Sequence, residues 1–149
     1  MSRYAEIAED TFREGFSCSQ AVLSAFGPSL GLDRPTALKL SQPFGGGMAQ
    51  RGETCGAVTG AYLVIGLKHG RVQAEDTAAR DHTYAVMRDF ISRFLAVHGT
   101  LKCRDLLGYR LDDPDEHRRA EEEGKFQILC PGLVRTAAEI LQEILALPA

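Results

Sequence analysis

Four cysteines, Cys18, Cys55, Cys103 and Cys130, are the residues of this 149-residue chain whose chemistry could go beyond packing. As thiolates they attack disulfides, ligate metals and meet oxidants; as thiols they do little of this. No two stand close enough in sequence for a CxxC pair or a zinc knuckle, so any partnership among them must be tertiary. Residue type alone leaves two chemistries open. Two of the cysteines could form a reversible disulfide, with the others resolving or relaying it. All four could instead converge as ligands of zinc or of an iron-sulfur cluster.

Their setting favours working sulfurs over filler. Cys18 follows Ser17, a good helix N-cap, and Cys55 follows Thr54 near the start of a predicted helix. Cys103 falls in the first turn after Thr100, and Cys130 directly precedes Pro131, a residue favoured at the first helical position. Helix N-termini carry unpaired amide donors and the positive end of the dipole, which stabilise thiolate over thiol. At least one accessible sulfur of lowered pKa is therefore expected. Around Cys55, in "GETCGAVTGA", Gly52, Gly56 and Gly60 recur every four residues. On a helix that spacing makes a smooth strip. Glycine inside a helix costs about 1 kcal/mol against alanine, so the strip must return something, either close helix packing or free space around the sulfur.

Other candidate sites are weak. His69 and His98 each precede a glycine at a predicted helix C-terminus, where the dipole favours a cation, and His82 and His117 fall among charged residues on faces expected to be exposed. "GGGMAQRGE" matches neither a Walker loop nor a dinucleotide fingerprint. Asp113, before Pro114 and three residues ahead of Glu116, reads as a capping box rather than a general base.

The elements that must position the cysteines are helices, since period-2 alternation is almost absent. Helices are predicted over about 3–14, with Tyr4, Ile7, Ala8 and Phe12 on one face, and from Ser17, burying Ala21, Val22, Ala25 and Phe26. A short one follows Asp33 and ends by Pro43, and the loop "PFGGGMAQRG" comes next. Longer helices are predicted over 53–69 and 73–98, the second with a core stripe of Tyr84, Met87, Ile91, Phe94 and Leu95. Pieces at 101–107 and 114–123 precede a final helix over 131–145, with Leu133, Ala137, Ile140, Leu141, Ile144 and Leu145 as its apolar positions. The expected architecture is an all-α bundle of six to eight helices forming a single domain over 1–149.

Composition sets the outer limits. Hydrophobic residues at 44% and charged residues at 25% describe a globular chain, and a net charge of -3 with no basic patch argues against a nucleic-acid partner. The mixed-sign run at 118–123 reads as a solvated helix face. The first twenty residues lack the apolar core of a signal peptide, so a cytoplasmic location is expected. The most apolar run, "AVTGAYLVIGL", is about half the roughly 20 residues that cross a bilayer, so no membrane insertion is expected.

Taken in order, "GFSCSQAVL", "ETCGAVTGA", "LKCRDLLG" and "LCPGLV" make a recognisable series. The chain resembles the C_GCAxxG_C_C family of redox-active proteins, named for four cysteines and a CGAxxG motif. Cys55, Gly56, Ala57 and Gly60 match the motif, and Cys18, Cys103 and Cys130 match the other three anchors, from about Gly15 to Val134. The resemblance implies redox-active thiols at these four positions, with a metal-ligand role as the alternative. It names no cofactor, substrate or redox partner. Because such proteins are often encoded near transporter genes, a non-catalytic helical module serving as an accessory to a membrane transporter is the competing reading.

Overall fold

A computed structural model describes residues 2–148, and among them the chain is all-α. The helices are α1 (Arg3–Arg13), α2 (Cys18–Phe26), α3 (Arg34–Ser41), α4 (Gly56–His69), α5 (Thr77–His98), α6 (Cys103–Leu107), α7 (Pro114–Glu122) and α8 (Lys125–Ile144). Short 3-10 turns at Pro28–Leu30 and Gln42–Phe44 follow α2 and α3. No described helix is long and apolar enough to cross a membrane.

Helix α2 is the hub, packed against α1, α3, α4 and α8 and buried from Ser19 through Phe26. Its start is specified locally. The Ser17 hydroxyl accepts from the Gln20 amide while the Gln20 side chain accepts from the Ser17 amide at 3.0 Å, so two orphan donors are satisfied reciprocally. Against α2 lies the glycine face of α4. A Cβ on Gly60 would sit 2.9 Å from the Ser19 carbonyl oxygen, and one on Gly56 would sit 3.0 Å from the Ser19 nitrogen. Only glycine permits that approach, which brings the starts of the two cysteine-bearing helices together.

Several boundaries differ from the sequence reading, and each difference moves a site residue. Helix α4 begins at Gly56, so Cys55 is its N-cap and Gly52 lies outside it, at φ 72° in the left-handed region. The glycine strip is therefore two residues long. Helix α8 begins at Lys125, after Gly124 at φ 68°, which leaves Pro131 inside the helix rather than at its first position. Cys130 is thus a mid-helix residue. Pro131 has no N–H to give the Gln127 carbonyl one turn back, so the ladder is interrupted beside Cys130.

Two faces are also rotated from expectation. On α1, Ile7 is exposed and Glu9 is buried, because α8 supplies Arg135 as a hydrogen-bonded counter-ion for the Glu9 carboxylate. On α5, the buried residues are Phe90 and Phe94 while Tyr84 and Leu95 are exposed; that helix packs on α4 and α8 along a narrower seam than its apolar residues suggested. Asp113 caps α7 as predicted, but the Glu116 carboxylate accepts from the Arg110 amide, so no capping box forms.

Candidate functional site

All four cysteines line one cavity of about 790 Å³. It lies where the main core meets a small second cluster built from Cys103, Leu107, Leu111, Ala120 and Cys130, with Phe12 and Cys18 packed against both. Convergence of residues so far apart in sequence has three structural causes.

The first is the helix contact just described, which puts Cys18, first residue of α2, beside Gly56. The second is a short antiparallel bridge between Thr54 and Lys102. Around it the Cys55 amide donates to the Leu101 carbonyl and the Cys103 amide to the Glu53 carbonyl, each at 2.7 Å, and the Arg104 amide donates to the Gly52 carbonyl at 3.1 Å. Because side chains alternate along such a pair, Cys55 and Cys103 project from the same face, diagonal to one another. The third is α8, which carries Cys130 across from α2.

A loop of unusual conformation closes one wall. Gly46, Gly47, Met48, Ala49 and Gln50 all have positive φ, between 52° and 73°, in a left-handed turn held by Gln50, Gly52 and Glu53 amides donating back to Gly45, Gly46 and Gly47. Non-glycine residues resist this conformation by about 1–2 kcal/mol each. At Gly47 no alternative exists, since a Cβ would lie 2.7 Å from both the Cys103 Cβ and the Glu53 nitrogen. The "GGG" run is thus a close-approach device that seats backbone against Cys103.

The sulfurs are free thiols in unequal surroundings. Cys18 packs against the cluster that holds Cys130, and the interaction of the two side chains holds Cys130 below the ordinary cysteine value and, with burial and the neighbouring sulfurs, raises Cys18 well above it. Burial pushes Cys55 up to about 12 against the favourable pull of the Ala57 and Val58 amides. Burial also pushes Cys103 up to about 12, reinforced by Cys55 and Cys130. The expected lowering at helix N-termini therefore fails for the three cysteines that stand at helix starts, and the one lowered sulfur belongs to the cysteine inside a helix. Desolvation of the thiolate outweighs the dipole at Cys55, and α6 is too short to offer much of one at Cys103.

Residues that the sequence reading left aside also face the cavity. His117, expected on an exposed face, is half-buried there, its ring 5.9 Å from that of Phe126 and its Nε2 3.2 Å from Glu121. Its i, i+9 spacing to Phe126 crosses a helix boundary, so no local periodicity marks it. Arg13, 3.6 Å from Glu9, stands at the rim. His69 and His82 instead stack edge to face at 4.6 Å, and His98 meets Thr136 at 3.0 Å; none of the three lines the cavity.

A family model described as "Putative redox-active protein (C_GCAxxG_C_C)" matches residues 16–144, a span that holds all four cysteines. The chain belongs to the C_GCAxxG_C_C family. No curated protein and no solved structure matches it. In this C_GCAxxG_C_C chain the motif residues have distinct structural places: Cys55 occupies the N-cap position of α4 without a side-chain capping bond, Gly56 and Gly60 admit α2, and Ala57 is fully buried between them. Four thiols are also a donor set for zinc or iron. Among the described residues, however, no three His, Cys, Asp or Glu side chains are arranged to hold a metal ion.

Proposed function

We propose that the chain is a dithiol-disulfide redox protein in which Cys130 is the attacking thiolate and Cys18 its resolving partner. The observation that carries this reading is the meeting of Cys18 and Cys130 at the cavity wall, where Cys18 packs against the cluster that holds Cys130 and their interaction makes Cys130 easier to ionise and keeps the proton on Cys18. Such a pair is poised for a two-step exchange: the more acidic sulfur attacks, and its neighbour displaces the mixed disulfide. Cys55 and Cys103, held as neutral thiols nearby, are the reserve pair to which a disulfide could be relayed. Free thiols at all four positions suit the reducing cytoplasm in which we place the protein.

The test is a redox titration against dithiothreitol ratios, with thiols counted and disulfides mapped by mass spectrometry. A Cys18–Cys130 bridge forming reversibly, and lost in Cys18→Ser and in Cys130→Ser, is expected. A thiol count that never changes defeats the reading. Zinc, iron and acid-labile sulfide should be measured in parallel on protein purified without oxygen. Near-stoichiometric metal that disappears in Cys55→Ser would replace the dithiol reading with a ligand role for the same sulfurs.

A further inference from the structure

The cavity has a polar mouth and an apolar interior. Arg13, Gln50, Glu121 and Gln127 are exposed at its edge, whereas Cys55, Cys103 and Cys130 at its inner wall are 2%, 7% and 5% accessible. Phe12, Phe16, Leu106, Leu107, Leu111 and Phe126 add apolar lining. A volume of about 790 Å³ falls in the range that encloses a small organic molecule. Cys130, 5% accessible on the inner wall, is shielded from a disulfide anchored in the surface of another folded protein, because exchange requires direct contact between the attacking and attacked sulfurs, whereas a small molecule can enter through the mouth.

Resting on the dithiol reading above, we propose that the oxidant reduced by Cys130 is a low-molecular-weight disulfide with an aromatic or apolar body, bound inside the cavity, rather than a disulfide of a partner protein. The Cys130 thiolate attacks one sulfur of RS–SR, forming a Cys130–S–S–R bond and releasing one RS⁻. The Cys18 sulfur then attacks Cys130, forming the Cys18–Cys130 disulfide and releasing the second RS⁻. The two protons lost by the cysteines end on the two released thiols, so one RSSR is reduced to two RSH as two cysteine thiols are oxidised. The phenylalanine walls supply contact for an aromatic body, and Arg13 and His117 stand where a polar substituent would face the mouth.

Dipyridyl disulfide, glutathione disulfide and the oxidised form of a thioredoxin-fold protein are the probes, each rate being normalised to the same oxidant acting on an exposed cysteine peptide. The expected result is a normalised rate at least tenfold higher for dipyridyl disulfide than for the protein disulfide, saturating with concentration and slowed by bibenzyl, a sulfur-free mimic. Gln127→Trp on α8 and Glu121→Trp on α7, which narrow the mouth from two helices, should each slow it about tenfold. Equal normalised rates for the protein disulfide, or a dipyridyl rate indifferent to bibenzyl and to both tryptophans, would overturn the cavity-bound oxidant while leaving Cys18–Cys130 chemistry standing. If none of the three oxidants produces a Cys18–Cys130 bridge, the dithiol reading fails and this proposal falls with it.

Discussion

Two pairs of cysteines share one cavity and behave differently. Cys18 and Cys130 reach it from two separate helices and act on one another, so their acidities are driven apart. Cys55 and Cys103 reach it side by side along a short antiparallel bridge, and burial drives both in the same direction, to about 12. A place at a helix start is therefore not sufficient to activate a thiol. A dipole worth about 0.3–1 kcal/mol loses to desolvation at Cys55 even with the Ala57 and Val58 amides pulling the same way.

The comparison breaks most visibly in alkylation. At pH 8 a thiol at the ordinary value of 9.0 is about one-tenth thiolate, whereas one at about 12 is about one ten-thousandth. Because Cys130 lies below the ordinary value, and because the more basic thiolates recover about thirtyfold in intrinsic nucleophilicity, a small neutral alkylating agent should label Cys130 at least about thirtyfold faster than Cys55 or Cys103, as peptide mapping over time will report. Cys130→Ser should abolish the fast phase. Equal labelling of all four would erase the distinction between the pairs.

Alkaline stability sharpens the same contrast. Cys55 and Cys103 have folded pKa values above their unfolded ones, so the native state binds more protons at high pH and stability falls as pH rises. The contribution is whole below about pH 9 and lost progressively toward about pH 12, on the order of 4 kcal/mol per thiol. Urea denaturation of the reduced protein at pH 8 and pH 10.5 should show this decline. Cys55→Ala and Cys103→Ala should each flatten the slope, whatever they do to stability at pH 8. A slope unaltered in both variants would contradict the burial argument.

Backbone approach separates the cysteine bridge from the rest of α4. Gly47→Ala combines a positive φ with a Cβ 2.7 Å from Cys103 and from backbone, and should lower stability by about 3 kcal/mol in chemical denaturation while speeding alkylation of Cys103. Gly66→Ala is the smallest effect and has the opposite sign. Nothing lies within 4 Å of a Cβ there, so the change should stabilise α4 by about 0.5–1 kcal/mol through helix propensity. A loss at Gly66 equal to that at Gly47 would show that the close approach is not what sets the cost.

Much of the chemistry-bearing pattern could be read from the chain. Ser17, Asp33 and Asp113 announced their helices because an N-cap is a local bargain between one side chain and the next turn's amides. The glycines of the CGAxxG motif announced a close contact for a similarly local reason, the absence of a Cβ. Pro131 misled, since proline is welcome at a helix start and tolerated inside one only when packing compensates. Ile7, Tyr84 and Leu95 misled because hydrophobic character does not say which of several faces a neighbour will cover. His117 was missed because its place at the cavity depends on how α7 folds back on α8.

By itself the sequence determined that the protein is helical, that four separated cysteines are its chemical groups, and that glycine would bring backbone near one of them. These follow from periodicity, residue chemistry and sterics acting within a turn or two of chain. Packing of distant segments set which sulfurs are neighbours, that Cys18 and Cys130 shift one another in opposite directions, and that burial raises Cys55 and Cys103. Interaction between sulfurs distant in sequence and removal of water from them are properties of the assembled interior, where the cost of an unpaired charge is set by everything packed around it.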